Sequence, residues 1–364
     1  MVQHRGRPFR WAIFGTGSVA RKFTLDLRCL GGAAEARIVA SRTSENARRF
    51  AAGLGVAEVA PDYAAAARAE VDAIYIATPP ALHEAHAMLG IAAGKAVLIE
   101  KPIAADAPAA RRIAAAAEEA GVFCMEAMWT RFQPLPEAVR RVIDAGKLGE
   151  LRGFEARFMG ANKPDLDSSL FDPERGGGAL LHRGIYPLSL ARYLLGEIRT
   201  TQATSRIGGT GVDEDTALIV QHASGAISTL RSSLRAAGPD GAVIYGTDAT
   251  LYLDGPIWRP TGARLVPTVP AGAATTGPRR FEAFRESRRG LQLSGLLSRL
   301  RRLSGRGQTR ISAPFDGNGY HYEAQAVMQA VSEGHIQDIR MPLSESIEIL
   351  QIIDEARAPK AAGV

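Results

Sequence analysis

The sequence predicts an α/β protein: a doubly wound parallel sheet at the N-terminus, followed by an α+β region built on a large sheet. Two observations carry this. The first 125 residues alternate short apolar runs with alanine-rich helical stretches. That alternation places parallel strands in one sheet with helices on both faces. After about Ala127 the pattern changes to consecutive strands separated by glycine turns, which suggests an antiparallel or mixed sheet. A chain of 364 residues is long enough for two domains, and the change of pattern puts them at 1–128 and 129–364.

Taken in order, Arg10–Phe14 reads as a strand, followed by a glycine turn and a helix through about Leu30. Ala36–Ala40 is the second strand, and Thr43 is a plausible cap for a helix to Leu54. Val71–Ala77 is an apolar strand, and Ala81–Ala93 a helix closed by Gly94. Ala96–Ile99 is the next strand, then a helix from Asp106, its candidate cap, to Ala120, then a strand at Val122–Met125. Beyond the change of pattern, Leu151–Met159 alternates as a long strand and Leu180–Leu195 is helical. Further strands are expected near Ile198–Ile207, Thr216–His222, Ala226–Leu234, Ala242–Tyr245 and Thr250–Leu253. Residues 261–314, rich in Gly, Pro, Thr and Arg, read as an insertion, and helices near His321–Glu333 and Ser344–Ala356 close the chain.

Composition excludes several classes. Apolar residues make up 46% and charged residues 23%, an ordinary globular mix, so global disorder is not expected. No uninterrupted apolar run of about 18 residues appears, which argues against a membrane span. Two cysteines, Cys29 and Cys124, cannot build a disulfide framework or a cysteine metal site. With no secretory signal, a reducing, cytoplasmic setting is expected. The net charge of +6 is concentrated: Arg279–Arg310 holds ten arginines and two acids, +8 in all, leaving −2 for the rest. A general nucleic-acid surface is therefore not implied. Leucines in that segment have partly helical spacing, so it is either a solvated insertion or a docking helix.

Gly15-Thr16-Gly17-Ser18-Val19-Ala20 fits G-x-G-x-x-G/A between a strand and a helix. The first glycine makes the turn, the second admits a pyrophosphate, and the small third residue lets helix and strand pack closely. The second strand ends in Ser41-Arg42 where an acid would select NAD. Ser41 can hydrogen-bond a 2′-phosphate and Arg42 can pair with it, so the cofactor expected is NADP(H).

Tyr75-Ile-Ala-Thr78-Pro79-Pro80-Ala-Leu-His83 and the later Glu100-Lys101-Pro102, taken with the glycine turn, are similar to the glucose–fructose oxidoreductase, inositol dehydrogenase and rhizopine-catabolism (Gfo/Idh/MocA) family. The resemblance covers nearly the whole chain. Met125-Glu126-Ala127-Met128-Trp129-Thr130-Arg131-Phe132 and Gly176-Gly177-Gly178-Ala179-Leu180-Leu181 resemble its dihydrodiol and NADP-dependent xylose dehydrogenase branch. Tyr322-Glu323-Ala324 and Met341-Pro342-Leu343-Ser344-Glu345-Ser346 are similar too. The resemblance implies a Rossmann domain, a second domain with a large, mostly antiparallel sheet, and a dimer or tetramer formed through that sheet. It also implies a cis bond before Pro102 and a place for His83 near the cofactor, with Thr78 and Pro79 as further expected cofactor contacts. Trp129 and Arg131 either help bound the nicotinamide pocket or, at a domain junction, belong to the core.

Lys101 is the expected acid–base. Oxidising an alcohol requires a base for the hydroxyl proton, and carbonyl reduction requires an acid. A partly buried lysine beside a cationic nicotinamide has a lowered pKa and can serve in either direction. Glu100 either orients or neutralises Lys101, or is a structural hydrogen-bonding residue. Tyr186 is expected to donate to the reacting oxygen, unless it is a packed helix tyrosine. One departure stands out: the resemblance implies aspartate where this chain has His182, and an apolar residue where it has Arg183. His182 is a replacement acid–base or anchor, or serves a keto or acidic substrate together with Arg183, or marks impaired polyol chemistry. A basic contact usual near Ser168–Pro173 is missing, and Asn162 and Lys163 lie upstream of that segment. His83 and His86 lack further ligands for a metal, so none is expected. The reading is hydride transfer at a secondary alcohol or ketone of a sugar, cyclitol or dihydrodiol-like compound. Its rivals are a redox-cycling enzyme that retains its cofactor and a non-catalytic NADP sensor.

Overall fold

The structure is a computed structural model that describes residues 7–268 and 308–358, with isolated positions at 284, 287–289 and 292 between them. The leucine- and arginine-bearing helix expected within 279–310 falls largely outside the described residues.

Six strands form a parallel sheet in the order β3-β2-β1-β4-β5-β6: β1 (Phe9–Phe14), β2 (Ala34–Ala40), β3 (Glu58–Val59), β4 (Ala73–Ile76), β5 (Ala96–Glu100) and β6 (Cys124–Ala127). β4 and β5 are buried throughout, as strands covered by helices on both faces must be. The covering helices are α1 (Ser18–Asp26), α2 (Ser44–Leu54), α3 (Tyr63–Arg68), α4 (His83–Ala92) and α5 (Ala107–Ala120). Their starts follow capping chemistry. Thr43 caps α2, Asp62 caps α3 and Asp106 caps α5, each accepting from a backbone amide three residues on. Helix α3 and the two-residue β3 were not expected from the sequence. A six-residue helix with four alanines has almost no apolar period, and Asp62 was its one available signal.

The second sheet has eight strands in the order β14-β13-β12-β11-β7-β10-β9-β8. They are β7 (Leu151–Met159), β8 (Ile198–Ile207), β9 (Asp213–His222), β10 (Ile227–Ser233), β11 (Gly241–Gly246), β12 (Ala249–Asp254), β13 (Gly262–Pro267) and β14 (Thr309–Ser312). Neighbours run antiparallel except β7 and β10, which are parallel. The expected insertion at 261–314 is corrected here, because its two ends, β13 and β14, pair as the edge of the sheet. Edge strands bury few side chains, and β14 has only four residues, so their apolar signal is thin.

On the covered face, Phe154, Leu218, Val220, Leu230, Ile244 and Leu251 are buried. Helix α7 (Ile185–Leu195) packs on β7 and β10, and α9 (Leu343–Arg357) on β8, α5 and α7. The expected helix from Leu180 does start there, but its first five residues form a wider π turn before α7. Helix α6 (Pro134–Asp144), missed in the sequence, follows a short 3₁₀ turn at Trp129–Phe132, and α8 (His321–Ser332) precedes α9. One apolar core runs continuously from Trp11 and Ile74 through Trp129 to Ile244. Polar ties join the two sheets. Asp26, at the end of α1, accepts from the Asn318 and Tyr320 amides, each at 2.9 Å. Asp354 of α9 accepts from Ala107 N at 2.8 Å. Among the described residues, no helix is long and apolar enough to cross a membrane.

Candidate active site

The glycine turn is built where β1, β4 and α1 meet. Gly15 has φ 101°, and a Cβ there would stand 2.6 Å from Ala77 O, so only glycine fits against the end of β4. Gly17 faces open space and precedes α1 without any side-chain cap, unlike the residues that begin α2, α3 and α5. The first amides of α1, from Ser18, Val19 and Ala20, therefore have no capping side chain, and no acid sits in the first turn. Unfilled amides at a helix start with room above them suit a dinucleotide pyrophosphate. Ala20 is fully buried, which gives the close packing its small size allows. The Thr16 and Ser41 hydroxyl oxygens lie 3.2 Å apart, bringing the end of β2 beside the turn, and Arg42 next to them is exposed.

Thr78 and Pro79 follow β4. The Thr78 hydroxyl is 2.9 Å from His86 Nδ1, and Pro79 is exposed at the start of a 3₁₀ turn. His83 is fully enclosed, with Nδ1 2.9 Å from Pro102 O and Nε2 2.7 Å from Thr78 O. Burial pushes its pKa down to about 4, and the neutral ring, wedged between the loop after β4 and the loop after β5, donates to one of these two carbonyls. That second loop carries Lys101, and the Lys101–Pro102 bond is cis.

Lys101, Tyr186, His182 and Trp129 converge on one cleft of about 300 Å³ between the two sheets. Lys101 Nζ lies 4.9 Å from the centre of the Tyr186 ring and donates to His182 O at 3.2 Å. Burial lowers the Lys101 pKa, partly opposed by the charges of Glu100 and Glu126. Glu100 sits behind Lys101. Burial raises its pKa; its carboxylate accepts from the Tyr75 hydroxyl and, at 3.2 Å, from the Lys101 amide. Burial also raises the Tyr186 pKa, which keeps the phenol protonated. Trp129 Nε1 donates to the Tyr186 oxygen at 3.2 Å and its indole stacks on Tyr320 at 4.5 Å.

His182 does not titrate near neutrality. Burial, with the Lys101 charge next in importance, pushes its pKa down to about 3. Its Nε2 is buried without a hydrogen-bond partner among the described residues, and it offers its carbonyl rather than its ring to Lys101. The sign for stability follows. A histidine held neutral in the fold stabilises fully above about pH 6.5, and that contribution is lost as pH falls toward the folded-state value. Acidifying the cofactor-free protein from pH 7 to 5 is expected to remove about 2 kcal/mol through this residue. Melting curves of wild type and His182→Asn should converge as pH falls; a gap that stays constant with pH would show that His182 titrates normally.

Arg131 is placed elsewhere than expected. It is 0% exposed and absent from the cleft wall. Its Nε donates to Ser189 Oγ at 2.7 Å, one terminal nitrogen to Arg340 O and Glu345 at 2.8 and 2.6 Å, and the other to Ser189 O at 2.9 Å. It ties α7 and α9 together rather than facing a ligand. Asn162 accepts from Arg183 at 2.5 Å, while Lys163 is exposed. The segment before the triple glycine supplies Leu170 to the cleft. Its cation, Arg175, is spent on Asp172 and on the carbonyls of Leu166 and Asp167. Gly178, at φ 129°, lies where a Cβ would strike Asp213, whose carboxylate accepts from Leu180 N at 2.7 Å. Lys22, Phe158, Trp258, Arg259, Asn318 and Tyr320 also line the cleft. They come from separate stretches of chain, and no local pattern marks them.

Comparison with known proteins agrees with this architecture. Residues 9–128 match the model of the oxidoreductase family with an NAD-binding Rossmann fold, and residues 137–252 match the GFO/IDH/MocA C-terminal domain. The chain is 30% identical to trans-1,2-dihydrobenzene-1,2-diol dehydrogenase of Bos taurus over 359 residues, covering 98% of this chain and 97% of that protein. It is also 30% identical to the Homo sapiens protein of that name over 367 residues, with the same coverage. Among solved structures, a 3-ketoreductase from Actinomadura kijaniata in complex with NADP and TDP-benzene superposes with a TM-score of 0.77 at 23% identity, covering 96% of this chain and 97% of that one. A levoglucosan dehydrogenase in complex with NADH and levoglucosan gives 0.79 at 18% identity, covering 97% and 98%. With both family segments matched and full-length relatives at this identity, the chain belongs to the Gfo/Idh/MocA family of oxidoreductases and carries its NAD(P)-binding Rossmann fold.

Proposed function

We propose that this protein transfers hydride between NADP(H) and a secondary alcohol or ketone of a sugar, cyclitol or dihydrodiol-like compound. The observation that carries the reading is the pairing of Lys101 and Tyr186 on one cleft between the two sheets. A bound nicotinamide supplies the hydride acceptor or donor. Lys101 takes the hydroxyl proton in oxidation and returns it in reduction, because burial raises its free-amine fraction. Tyr186 stays protonated. Since Trp129 donates to its oxygen, its own O–H is left to donate to the reacting oxygen. His182 is a neutral wall residue whose carbonyl holds the Lys101 amine.

Ser41 and Arg42 support the choice of NADP(H). The glycine turn and Ser41 adjoin through Thr16, no acid stands at the end of β2, and Arg42 is exposed there. Arg42→Glu is expected to weaken NADPH binding by about 10- to 100-fold, the value of a charge-assisted contact, and to leave NADH binding little changed. Fluorescence titration of both cofactors reads this, followed by a carbonyl panel at the NADPH absorbance. Wild-type preference for NADH, or equal loss of both cofactors in the variant, would remove the assignment.

We also assign residues 1–128 to cofactor binding and 129–364 to substrate binding and self-association. The open face of the second sheet exposes about half of Ile219 and Ile227 and supports a dimer or tetramer formed there. The free thiols Cys29 and Cys124 fit a reducing cytoplasm.

A further inference from the structure

We infer that the substrate carries an anionic group, a carboxylate or a phosphate ester, and that Arg183 receives it. This rests on the hydride-transfer reading and names the substrate class of that site. Among the described residues, the cleft is lined by Lys22, Lys101, Arg183 and Arg259 and by no aspartate or glutamate. His182, standing where the family resemblance implies an acid, brings no compensating charge, because its ring is neutral. Lys22 lies on α1, on the side of the glycine turn, where its charge is available to cofactor phosphates. Lys101 serves proton transfer. Arg183 has neither task.

Among the described residues, Arg183 donates to neutral acceptors only. One terminal nitrogen donates to Gly160 O at 2.8 Å and to Ser233 O, and the other to Asn162 Oδ1 at 2.5 Å. Gly160 makes room for it, since a Cβ there would stand 2.7 Å from the guanidinium. The charge of Asp240 reaches Arg183 without a contact, and the Asp240 carboxylate accepts from the amides of Gly241 and Ile257. Arg183 is thus a half-buried cation, fixed in direction, over the Phe158 ring at 5.5 Å and without an ion pair among the described residues. Burial depresses its pKa, and the charge of Asp240 offsets this only in part. Phe158 stacks on Trp258 at 4.1 Å beside it, so the guanidinium sits against an apolar wall. With one terminal nitrogen giving both protons to carbonyls and the other giving one to Asn162, Nε–H and the remaining terminal N–H are left for a ligand, and a cationic donor pair favours an anionic acceptor over a hydroxyl.

The test compares matched ligands by calorimetry with saturating NADPH, which cannot accept hydride from an alcohol: D-glucose against D-glucuronate and D-glucose 6-phosphate, and D-galactose against D-galacturonate. At least one anion is expected to bind about tenfold or more tighter than its neutral parent, with the excess shrinking as salt rises. Preference confined to the uronates identifies a carboxylate, and preference confined to the phosphate ester identifies a phosphate. Arg183→Gln should bring the anion-to-neutral ratio toward one, while Arg183→Lys, which keeps the charge, retains part of it and guards against a folding artefact. Neutral parents binding as well as every anion in the wild type, or an unchanged ratio in Arg183→Gln, would overturn the inference. Because binding is read without turnover, a failure of hydride transfer appears separately, as no NADPH formed from NADP+ with the same sugars and none consumed with the carbonyl panel, the anion preference staying intact.

Discussion

Lys101→Met is expected to lower turnover by about 10²- to 10⁴-fold, the usual contribution of a positioned acid–base, while leaving cofactor binding in place. Methionine keeps an unbranched apolar stem of similar reach, so packing against the cleft wall is largely preserved. What is lost is the amine that donates to His182 O at 3.2 Å and faces the Tyr186 ring at 4.9 Å. The pH profile supplies a second readout. Oxidation needs the free amine, so the rate should rise with pH through the Lys101 pKa, which burial places below that of an ordinary lysine. That limb should vanish in the variant. Near-normal turnover in Lys101→Met would move the proton transfer to another group. Loss of turnover together with cofactor binding would make Lys101 structural.

Arg131→Met should act on stability instead. Its guanidinium is fully enclosed and makes bonds to Ser189, Arg340 and Glu345. Removing one partner of a buried ion pair costs about 3–5 kcal/mol, because the groups left behind have no water to turn to. Here two carbonyls lose donors, while Glu345 keeps Arg192 at 3.4 Å, which places the expected loss near the lower end of that range. Lysine does not restore it, having one amine where the fork made separate bonds to three residues. Urea titration of wild type, Arg131→Met and Arg131→Lys measures this. A loss under about 1 kcal/mol, the level of an exposed pair, would show that the network is dispensable. Weaker cofactor binding at unchanged stability would return Arg131 to the nicotinamide pocket.

The contrast between these two residues shows what could be read from the chain alone. Lys101 follows a fully buried strand, apolar up to Glu100, and precedes a proline, so its placement at the C-terminal end of that strand is a local matter. Arg131 occurs in a stretch that resembles the family equally well, yet its partners Ser189, Arg340 and Glu345 are 58, 209 and 214 positions away. Nothing near it in sequence distinguishes a ligand contact from a buried tie. The same holds for the cleft wall, where Trp258, Arg259 and Tyr320 meet Lys22 from the far end of the chain.

Sequence by itself determined the glycine turn, the alternation of strands and helices in the N-terminal region, the long strands at Leu151–Met159 and Ile198–Ile207, and the capping of α2 and α5. These depend on backbone sterics, apolar period and hydrogen bonds three residues apart, all local quantities. Tertiary structure alone decided that His182 is neutral, that Arg183 makes no ion pair among the described residues, and that the ends of the expected insertion, β13 and β14, complete a sheet. Each of those depends on how much water and which distant partners surround a group, and that is settled only when the two sheets close on one core.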